Sequence, residues 1–259
     1  MATSLHIWGP LSIQAYGAMI FLGVIVFLYL LHKDPKVKPF MTTETLFDIV
    51  TVGIFTGIIG GRILYVLEYW QQFSSILEVF SIWDGGFSIL GTLIALLIVI
   101  PRYLKKRGIP VYPFLDRVGV YAPLTQSIAR LGCFIAGCCH GVTTSSFLAV
   151  TYTSPSSLAP INTPVHPTQL YSSFLLFLIF LFLFYVGQKK FRKPGQLFAC
   201  YLMLVSIQRF FVDSLRADRT IIQNILSLSQ VCALTLFVIG LVLLVRRTYY
   251  PKPERSPKR

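Results

Sequence analysis

The chain has 259 residues, of which 54% are hydrophobic and 13% charged, with a mean hydropathy of +0.68. A soluble domain carries roughly 25% charged residues, so this composition excludes an ordinary soluble protein and predicts an all-α integral membrane protein. The formal net charge of +13 does not predict a nucleic-acid partner, because the basic residues lie between apolar runs, as in the cytoplasmic loops of proteins in a lipid bilayer.

In chain order, seven apolar runs predict transmembrane helices, since a backbone in lipid must satisfy its own hydrogen bonds. The runs cover residues 11–32, 44–70, 86–103, 113–137, 167–187, 195–215 and 227–246. We expect a single transmembrane domain over residues 1–259, without repeats, that ends in a basic cytoplasmic tail at 247–259. The first run lacks a preceding basic segment and a small-residue cleavage site, so we expect no cleavable signal peptide.

The loops between these runs alternate in charge. Lys and Arg are frequent after the first, third and fifth runs and in the tail, whereas residues 71–85 and 138–166 contain neither. Cytoplasmic loops of membrane proteins hold an excess of Lys and Arg. The pattern therefore predicts an N-terminus outside the membrane and a C-terminus in the cytoplasm, on opposite sides, as seven spans require.

The basic residues outside those loops are all arginines. Arg117 lies at the inner start of the fourth run and could snorkel to the cytoplasmic interface. The others map to the outward half or edge of the bundle: Arg62, Arg130, Arg209, Arg216 and Arg219. A charged side chain within a span is costly and normally faces the protein interior. Guanidinium groups bind phosphate through two parallel hydrogen bonds, so these arginines predict a phosphate or phospholipid-headgroup site.

Structural pairing is the alternative for these arginines, with Asp213, Glu68 or backbone carbonyls as partners. Arg209, Asp213 and Arg216 are spaced so that they share one helix face, and we expect some pairing there. Two carboxylates cannot neutralise five arginines, however, so headgroup binding is the favoured interpretation.

The segment CFIAGCCHG brings Cys133, Cys138, Cys139 and His140 close together in sequence. The spacing matches no ordinary structural zinc pattern and a partner cluster is absent, so we predict no metal site. Adjacent Cys138 and Cys139 are poorly placed to form a disulfide with each other. His140, at the predicted outer mouth, could act as a base or could be an ordinary polar loop residue.

The segment HPTQLY opens the fifth run. Its polar side chains, His166, Gln169 and Tyr171, could line a headgroup pocket or form an interfacial belt. Glycines occur at similar depth in the second, third and fourth runs: Gly60, Gly61, Gly85, Gly86, Gly132 and Gly137. They permit close helix packing, and they also permit a ligand to approach backbone amides.

Together these motifs resemble the prolipoprotein diacylglyceryl transferase family. The resemblance spans most of the chain and rests on the order and spacing of six segments: AYGAMIFLG, GGRILYVLEYW, WDGGFS, ARLGCFIAGCCHG, HPTQLY and QRFFVDSLR. It implies a bacterial inner-membrane enzyme without a cofactor. Such an enzyme transfers diacylglyceryl from phosphatidylglycerol to the lipobox cysteine of a prolipoprotein signal peptide. The product is a thioether, and glycerol phosphate is the leaving group.

The resemblance also implies roles for individual residues. Arg130 and Arg209 match family arginines that hold the headgroup and stabilise the departing phosphate. Tyr16, Gly141 and Asp213 match further important positions, and Asp213 replaces a glutamate. We therefore expect catalytic roles for Arg130, Arg209, Tyr16 and His140. The expected headgroup site consists of Arg130, Arg209, Arg62, Arg216, Gly141, Asp213, His166, Gln169 and Tyr171.

The chain departs from the family pattern at polar positions. Leu90 stands where the family has a histidine, and Ser172 where it has a glutamate. Cys133 replaces an asparagine, and Cys138 replaces an acidic residue. These changes leave three hypotheses: a divergent transferase with a rebuilt acid–base arrangement using a residue such as His140, an enzyme with the same headgroup site and another acceptor, or a non-catalytic phospholipid-binding membrane protein.

Overall fold

The computed structural model describes residues 4–8, 11–73, 75–81, 86–219, 221–222 and 225–250. It is predominantly helical, and the described residues fall into two compact units. The first lies within Met1–Lys33 and Tyr112–Pro253, and the second within Asp34–Val111. Trp83, Asp84 and Gly85 of the WDGGFS segment and most of the predicted basic tail lie outside the described residues.

The first unit contains most of the long helices. It begins with a hairpin of two strands, β1 (Ser4–Trp8) and β2 (Leu11–Gln14), followed by helix α1 (Ala15–Lys33). Its other long helices are α5 (Val111–Ala136), α6 (Thr168–Phe182), α8 (Gln196–Asp213) and α9 (Leu228–Tyr249). Helix α5 starts at the boundary between the two units. A π-helical stretch, Leu183–Gly187, and the short α7 (Gln188–Lys190) extend α6. Two further antiparallel pairs are β3 (Val150–Thr151) with β4 (Pro164–Val165), and β5 (Ile221–Ile222) with β6 (Leu226–Ser227).

Polar contacts fix the helices of the first unit against one another. The buried Asp116 of α5 accepts hydrogen bonds from the amides of Gly195 (2.7 Å) and Phe198 (2.9 Å) and so caps the start of α8. Ser127 of α5 and Ser173 of α6 each donate to the other's carbonyl, at 2.8 and 2.9 Å. These bonds fix the register of α5 against α6 and α8.

The second unit is built around two helices. It comprises α2 (Thr43–Glu68), a 3₁₀ turn (Trp70–Gln72), α3 (Ile76–Phe80) and α4 (Ile89–Lys106). A Cβ on Gly60 would lie 2.8 Å from the Gly91 carbonyl oxygen, so these two glycines let α2 and α4 approach closely. The Thr92 hydroxyl donates to the Gly57 carbonyl at 2.9 Å across the same interface.

Within the described part of the chain, five helical segments are long and apolar enough to cross a membrane: Tyr16–Lys33, Thr43–Glu68, Thr168–Lys190, Gln196–Asp213 and Leu228–Tyr249. They coincide with the first, second, fifth, sixth and seventh predicted runs. The third and fourth runs are also helical, as α4 and α5, but they do not meet both criteria. Large side chains such as Phe21 and Phe55 are more than half exposed on these helices, as lipid contact requires.

The predicted start of the first span is wrong. Residues 11–14 belong to β2, which pairs with β1, and the helix begins at Ala15. Apolar periodicity cannot separate a short strand from the first turn of a helix. The hairpin partner provides the backbone hydrogen bonds that a helical turn would otherwise supply.

Candidate active site

Three segments of the first unit meet at one place: the loop after α5, the start of α6 and the end of α8. The Gly141 amide donates to the His166 carbonyl at 2.8 Å, and the Val142 amide donates to the Leu215 carbonyl at 2.9 Å. Gly141 also forms a β-bridge with Arg216, and the Ala217 amide donates to the His140 carbonyl at 3.2 Å. The loop is therefore tied to both helices through its backbone.

Gly141 occupies a position where no side chain fits. A Cβ there would lie 2.6 Å from the His166 Cβ and 2.7 Å from the Leu215 carbonyl oxygen. We expect Gly141→Ala to lower the free energy of unfolding in detergent by about 1–3 kcal/mol, because both neighbouring backbones must shift. Gly17→Ala is the matched control, since a Cβ on this helical glycine meets no heavy atom within 4 Å. Equal stability of the two variants would contradict this assignment.

Side chains of the HPTQLY segment hold the same loop. Thr168 donates from its hydroxyl to the Cys139 carbonyl, and Gln169 donates from Nε2 to the Cys138 carbonyl, both at 2.7 Å. Gln169 is only 1% exposed, so it does not belong to an interfacial belt. His166 Nδ1 lies 3.2 Å from the Tyr171 hydroxyl. The segment thus positions the loop that carries Cys138 and Cys139, called the cysteine loop below, through buried hydrogen bonds.

Three arginines converge beside this loop. The charges of Arg130 and Arg216 lie close enough to repel the Arg209 guanidinium, and Asp213 lies close enough to attract it. Arg209 donates from Nη2 to the Ser229 hydroxyl at 3.0 Å, and the same nitrogen is 4.0 Å from Asp213 Oδ1. The cluster keeps an excess of positive charge, which suits an anionic group.

Asp213 is the buried anchor of the arginine cluster. It is 1% exposed, and its Oδ2 accepts a hydrogen bond from the Ser227 hydroxyl. Ser227 also caps α9 by accepting from the Gln230 amide at 3.1 Å, while Gln230 Oε1 accepts from the Ser227 amide at 3.0 Å. The carboxylate that faces Arg209 is therefore fixed by a capping box at the start of the next helix.

Arg216 has a carboxylate partner of its own. It donates to both carboxylate oxygens of Asp218, at 2.8 and 2.6 Å. These hydrogen bonds lower the pKa of Asp218 below its usual range. Because the folded-state pKa is lowered, the pair contributes stability near neutral pH and loses it only as the pH falls through that value. These two hydrogen bonds use two of the five guanidinium N–H donors of Arg216.

Tyr16 lies at the edge of the same site. Its hydroxyl is within electrostatic reach of Arg130 and of the thiols of Cys133, Cys138 and Cys139. A Cβ on Gly132 would lie 3.3 Å from the Tyr16 Cα, so this glycine lets α1 approach α5. The structure thus brings Tyr16, Arg130 and the cysteine loop together from separate parts of the sequence.

His140 has a defined orientation. Its Nδ1 lies 3.0 Å from the Gly141 carbonyl oxygen, which can only accept a hydrogen bond. Nδ1 therefore carries the proton in the neutral ring, which leaves the lone pair on Nε2. A histidine in this tautomer can accept a proton from a substrate.

Arg62 and Arg117 both donate hydrogen bonds to groups of their own unit. Arg62 belongs to the second unit, where it donates to the carbonyls of Val79 (2.9 Å), Glu78 (2.6 Å) and Gly86 (3.1 Å). Arg117 is buried and donates to Gln188 Oε1 at 2.7 Å, so it does not snorkel to solvent. The headgroup role of Arg62 stays a prediction.

The sequence profile of the prolipoprotein diacylglyceryl transferase family matches residues 2–246. The chain belongs to this family. A phosphatidylglycerol–prolipoprotein diacylglyceryl transferase of Clostridium tetani is 36% identical over 231 residues, which cover 89% of this chain and 92% of the relative. A phosphatidylglycerol–prolipoprotein diacylglyceryl transferase 2 of Clostridium perfringens is 34% identical, and the match covers 90% of each chain. A transferase of the same name from Ligilactobacillus salivarius is 32% identical, and the match covers 93% of this chain and 91% of the relative.

The departures from the family pattern have distinct surroundings. Ser172 is buried and accepts a hydrogen bond from Gln208 Nε2 at 3.2 Å. Leu90 lies on α4 in the second unit and is 58% exposed. Cys133 and Cys138 lie with Cys139 in one group of thiols. At the four changed positions this chain therefore has one leucine, one serine and two cysteines.

Sequence reasoning missed several polar residues of the site: Ser227, Ser229, Gln230, Asp218 and Tyr152. The capping box S-x-x-Q before an apolar run was a readable signal for Ser227 and Gln230. Tyr152 gave no such signal. Its hydroxyl donates to the Phe134 carbonyl at 3.1 Å, and burial raises its pKa to about 12. It supports the loop as a neutral hydrogen-bonding group.

Proposed function

We propose that this chain transfers the diacylglyceryl group of phosphatidylglycerol to the lipobox cysteine thiol of prolipoproteins. The acceptor sulfur forms a bond to the glyceryl carbon, and the bond from that carbon to the phosphate oxygen breaks. Glycerol phosphate leaves with the electron pair, and the thiol proton passes to a base. The cluster of Arg130, Arg209 and Arg216 is the observation that carries this proposal. Family membership and the names of the relatives support the same reaction.

The proposed location is the bacterial inner membrane. The five membrane-length helices support it. We further propose that α4 and α5 complete seven spans, with the N-terminus outside and the basic C-terminal tail in the cytoplasm. In that orientation the arginine cluster, at the end of α8 and beside the lysine-free loop 138–166, lies on the outer side.

The arginines would act on the phosphate. A guanidinium donates two parallel hydrogen bonds to phosphate and remains charged at any working pH. Fixed positive charge is most effective where charge develops in the transition state. Arg209 donates to the neutral hydroxyl of Ser229, and its Nη2 lies 4.0 Å from Asp213 Oδ1. It can therefore donate to the phosphate oxygen as the carbon–oxygen bond breaks.

The acyl chains need an apolar surface near this headgroup site. A cavity of about 170 Å³ lies between α8 and α9. It is lined by Ser206, Ile207, Phe210, Phe211, Ala233, Leu234 and Phe237. Phe210 follows Arg209 in sequence, so the cavity lies within about one helical turn of this arginine. Acyl chains bound in the cavity would therefore lie close to the phosphate that Arg209 binds.

We propose His140 as the base that accepts the acceptor thiol's proton. Leu90 cannot accept a proton, whereas His140 presents a lone pair at Nε2. We expect His140→Ala to lower the rate of transfer by about 10²–10⁴-fold, the usual contribution of a positioned general base. Rates are measured with purified enzyme, phosphatidylglycerol and a lipobox peptide. The control is His32→Ala at the last turn of α1, and unchanged transfer by the His140 variant would rule out this role.

Complementation tests the function itself. The host's diacylglyceryl transferase is depleted, this chain is expressed, and a prolipoprotein is followed by gel shift and mass. A diacylglyceryl mass increase on the lipobox cysteine is expected. No increase from a correctly inserted chain would contradict the proposal. It would favour another acceptor or non-catalytic lipid binding, alternatives motivated by Leu90 and Ser172.

A further inference from the structure

Three thiols of the first unit form a group whose side chains have no role in the proposed reaction. The sulfur atoms of Cys133, Cys138 and Cys139 all lie within 4.8 Å of one another, and all three cysteines are free. Cys133 is buried at the end of α5, and the other two are half-buried in the following loop. The sequence predicted no metal site here, because the spacing of these cysteines matches no ordinary structural zinc pattern.

The chain path is unusual and fixed. Gly137 has φ of +76° and Cys139 has φ of +59°, so the backbone turns back on itself and places the loop thiols near Cys133. A non-glycine residue in this left-handed region is uncommon and is retained only where its surroundings enforce it. The buried Thr168 and Gln169 enforce it through their 2.7 Å hydrogen bonds to the Cys139 and Cys138 carbonyls. The backbone that carries the loop thiols is thus fixed by buried hydrogen bonds.

We propose that Cys133, Cys138 and Cys139 bind one soft, thiophilic metal ion, Cu(I) in preference to Zn(II), through three thiolates. Metal–thiolate bonds of about 2.3 Å place trigonal sulfur atoms about 4.0 Å apart. The observed group needs to contract by less than about 1 Å to reach that geometry. Thiolates are ligands that select Cu(I).

The ligand number distinguishes between the two metals. Structural zinc sites are almost always four-coordinate. Among the described residues, no fourth His, Cys, Asp or Glu ligand atom joins the three sulfurs. A three-sulfur site therefore suits a trigonal ion, whereas Zn(II) would need a water molecule to complete its shell.

Two guanidinium groups lie near the three thiols. Arg130 and Arg216 both act on Cys139. A Cu(I) ion with three thiolates carries a net charge of −2, which the neighbouring guanidinium groups balance. Binding releases the remaining thiol protons to solvent.

The test uses the purified full-length protein in detergent, fully reduced and without oxygen. We expect it to take one equivalent of Cu(I) from the bicinchoninate complex and to develop a sulfur-to-metal charge-transfer absorption. Cys139→Ser is expected to abolish uptake, while Cys200→Ser and Cys232→Ser, which lie outside the group, retain it. Because no phospholipid or acceptor is present, the outcome does not depend on the proposed transferase activity.

A second measurement avoids variants altogether. The reduced protein is alkylated with and without Cu(I), and the modified peptides are identified by mass. Protection of Cys133, Cys138 and Cys139, with Cys232 still alkylated, is the expected result, since Cys232 is exposed on α9. The proposal is overturned if protein with five free thiols takes up no Cu(I), or if uptake persists in Cys139→Ser.

Discussion

Arg209→Ala is expected to lower diacylglyceryl transfer by about 10²–10³-fold, the usual loss when one preorganised donor is removed from a developing negative charge. Arg209 donates to the Ser229 hydroxyl at 3.0 Å and lies 4.0 Å from the Asp213 carboxylate. Its removal therefore takes one positive charge from the cluster of Arg130, Arg209 and Arg216 and removes one hydrogen bond to Ser229. The rate is measured on phosphatidylglycerol with a lipobox peptide, as kcat and KM separately.

Two further variants make this test specific. Arg209→Lys keeps the charge but loses the planar pair of donors, and we expect it to recover only part of the rate. Arg192→Ala is the matched control, because this exposed arginine lies before α8, at the opposite end from Arg209. Full activity of Arg209→Ala, or an equal loss in Arg192→Ala, would remove Arg209 from the proposed mechanism.

Asp213→Ala is expected to reduce both stability and activity. The buried carboxylate accepts from Ser227 and faces Arg209, so its removal leaves a buried hydroxyl without its acceptor. Such a change costs about 1–3 kcal/mol, and more where a charged group loses its partner. We expect a lower free energy of unfolding in detergent, together with a fall in transfer as Arg209 loses its fixed position.

Asp213→Asn separates these two effects. The amide oxygen can still accept from Ser227, so most of the stability is expected to return, but the negative charge beside Arg209 is gone. Asp218→Asn serves as the stability control. It removes a carboxylate that is 49% exposed, and such pairs contribute about 0–1 kcal/mol. If Asp213→Ala unfolds like the unmodified protein, Asp213 is not the anchor described above.

The headgroup cluster and the cysteine loop depend on the same supports. Gly141 joins the loop to α6 and to the end of α8, while Thr168 and Gln169 hold the carbonyls of the two loop cysteines. A substitution that loosens this loop is therefore expected to disturb both phosphate binding and thiol geometry. The separate readouts proposed above, transfer rate and Cu(I) uptake, allow the two effects to be distinguished.

The sequence determined the helical class of this protein, because long apolar runs in lipid leave helices as the way to satisfy the backbone. Motifs and the high cost of charge in a span also predicted that Arg130, Arg209, Gly141 and Gln169 belong to one headgroup site, and this role stays a prediction. The extent of each helix was less well defined. Residues 11–14 read Leu-Ser-Ile-Gln, a stretch too short for its pattern to separate a strand from a helical turn, and pairing with β1 makes them a strand.

Only the tertiary structure decided which polar groups meet. Gln169 looked like a pocket or rim residue, yet it lies buried beneath the cysteine loop as a backbone support. Nothing in the sequence was a reason to separate Arg62 from Arg209. In the structure Arg62 donates to backbone carbonyls, whereas Arg209 donates to the Ser229 hydroxyl. The spacing of the three cysteines matches no ordinary zinc pattern, and a left-handed turn at Cys139 is needed to bring their sulfur atoms together. Such contacts depend on side chains distant in sequence and on backbone angles that residue spacing alone does not specify.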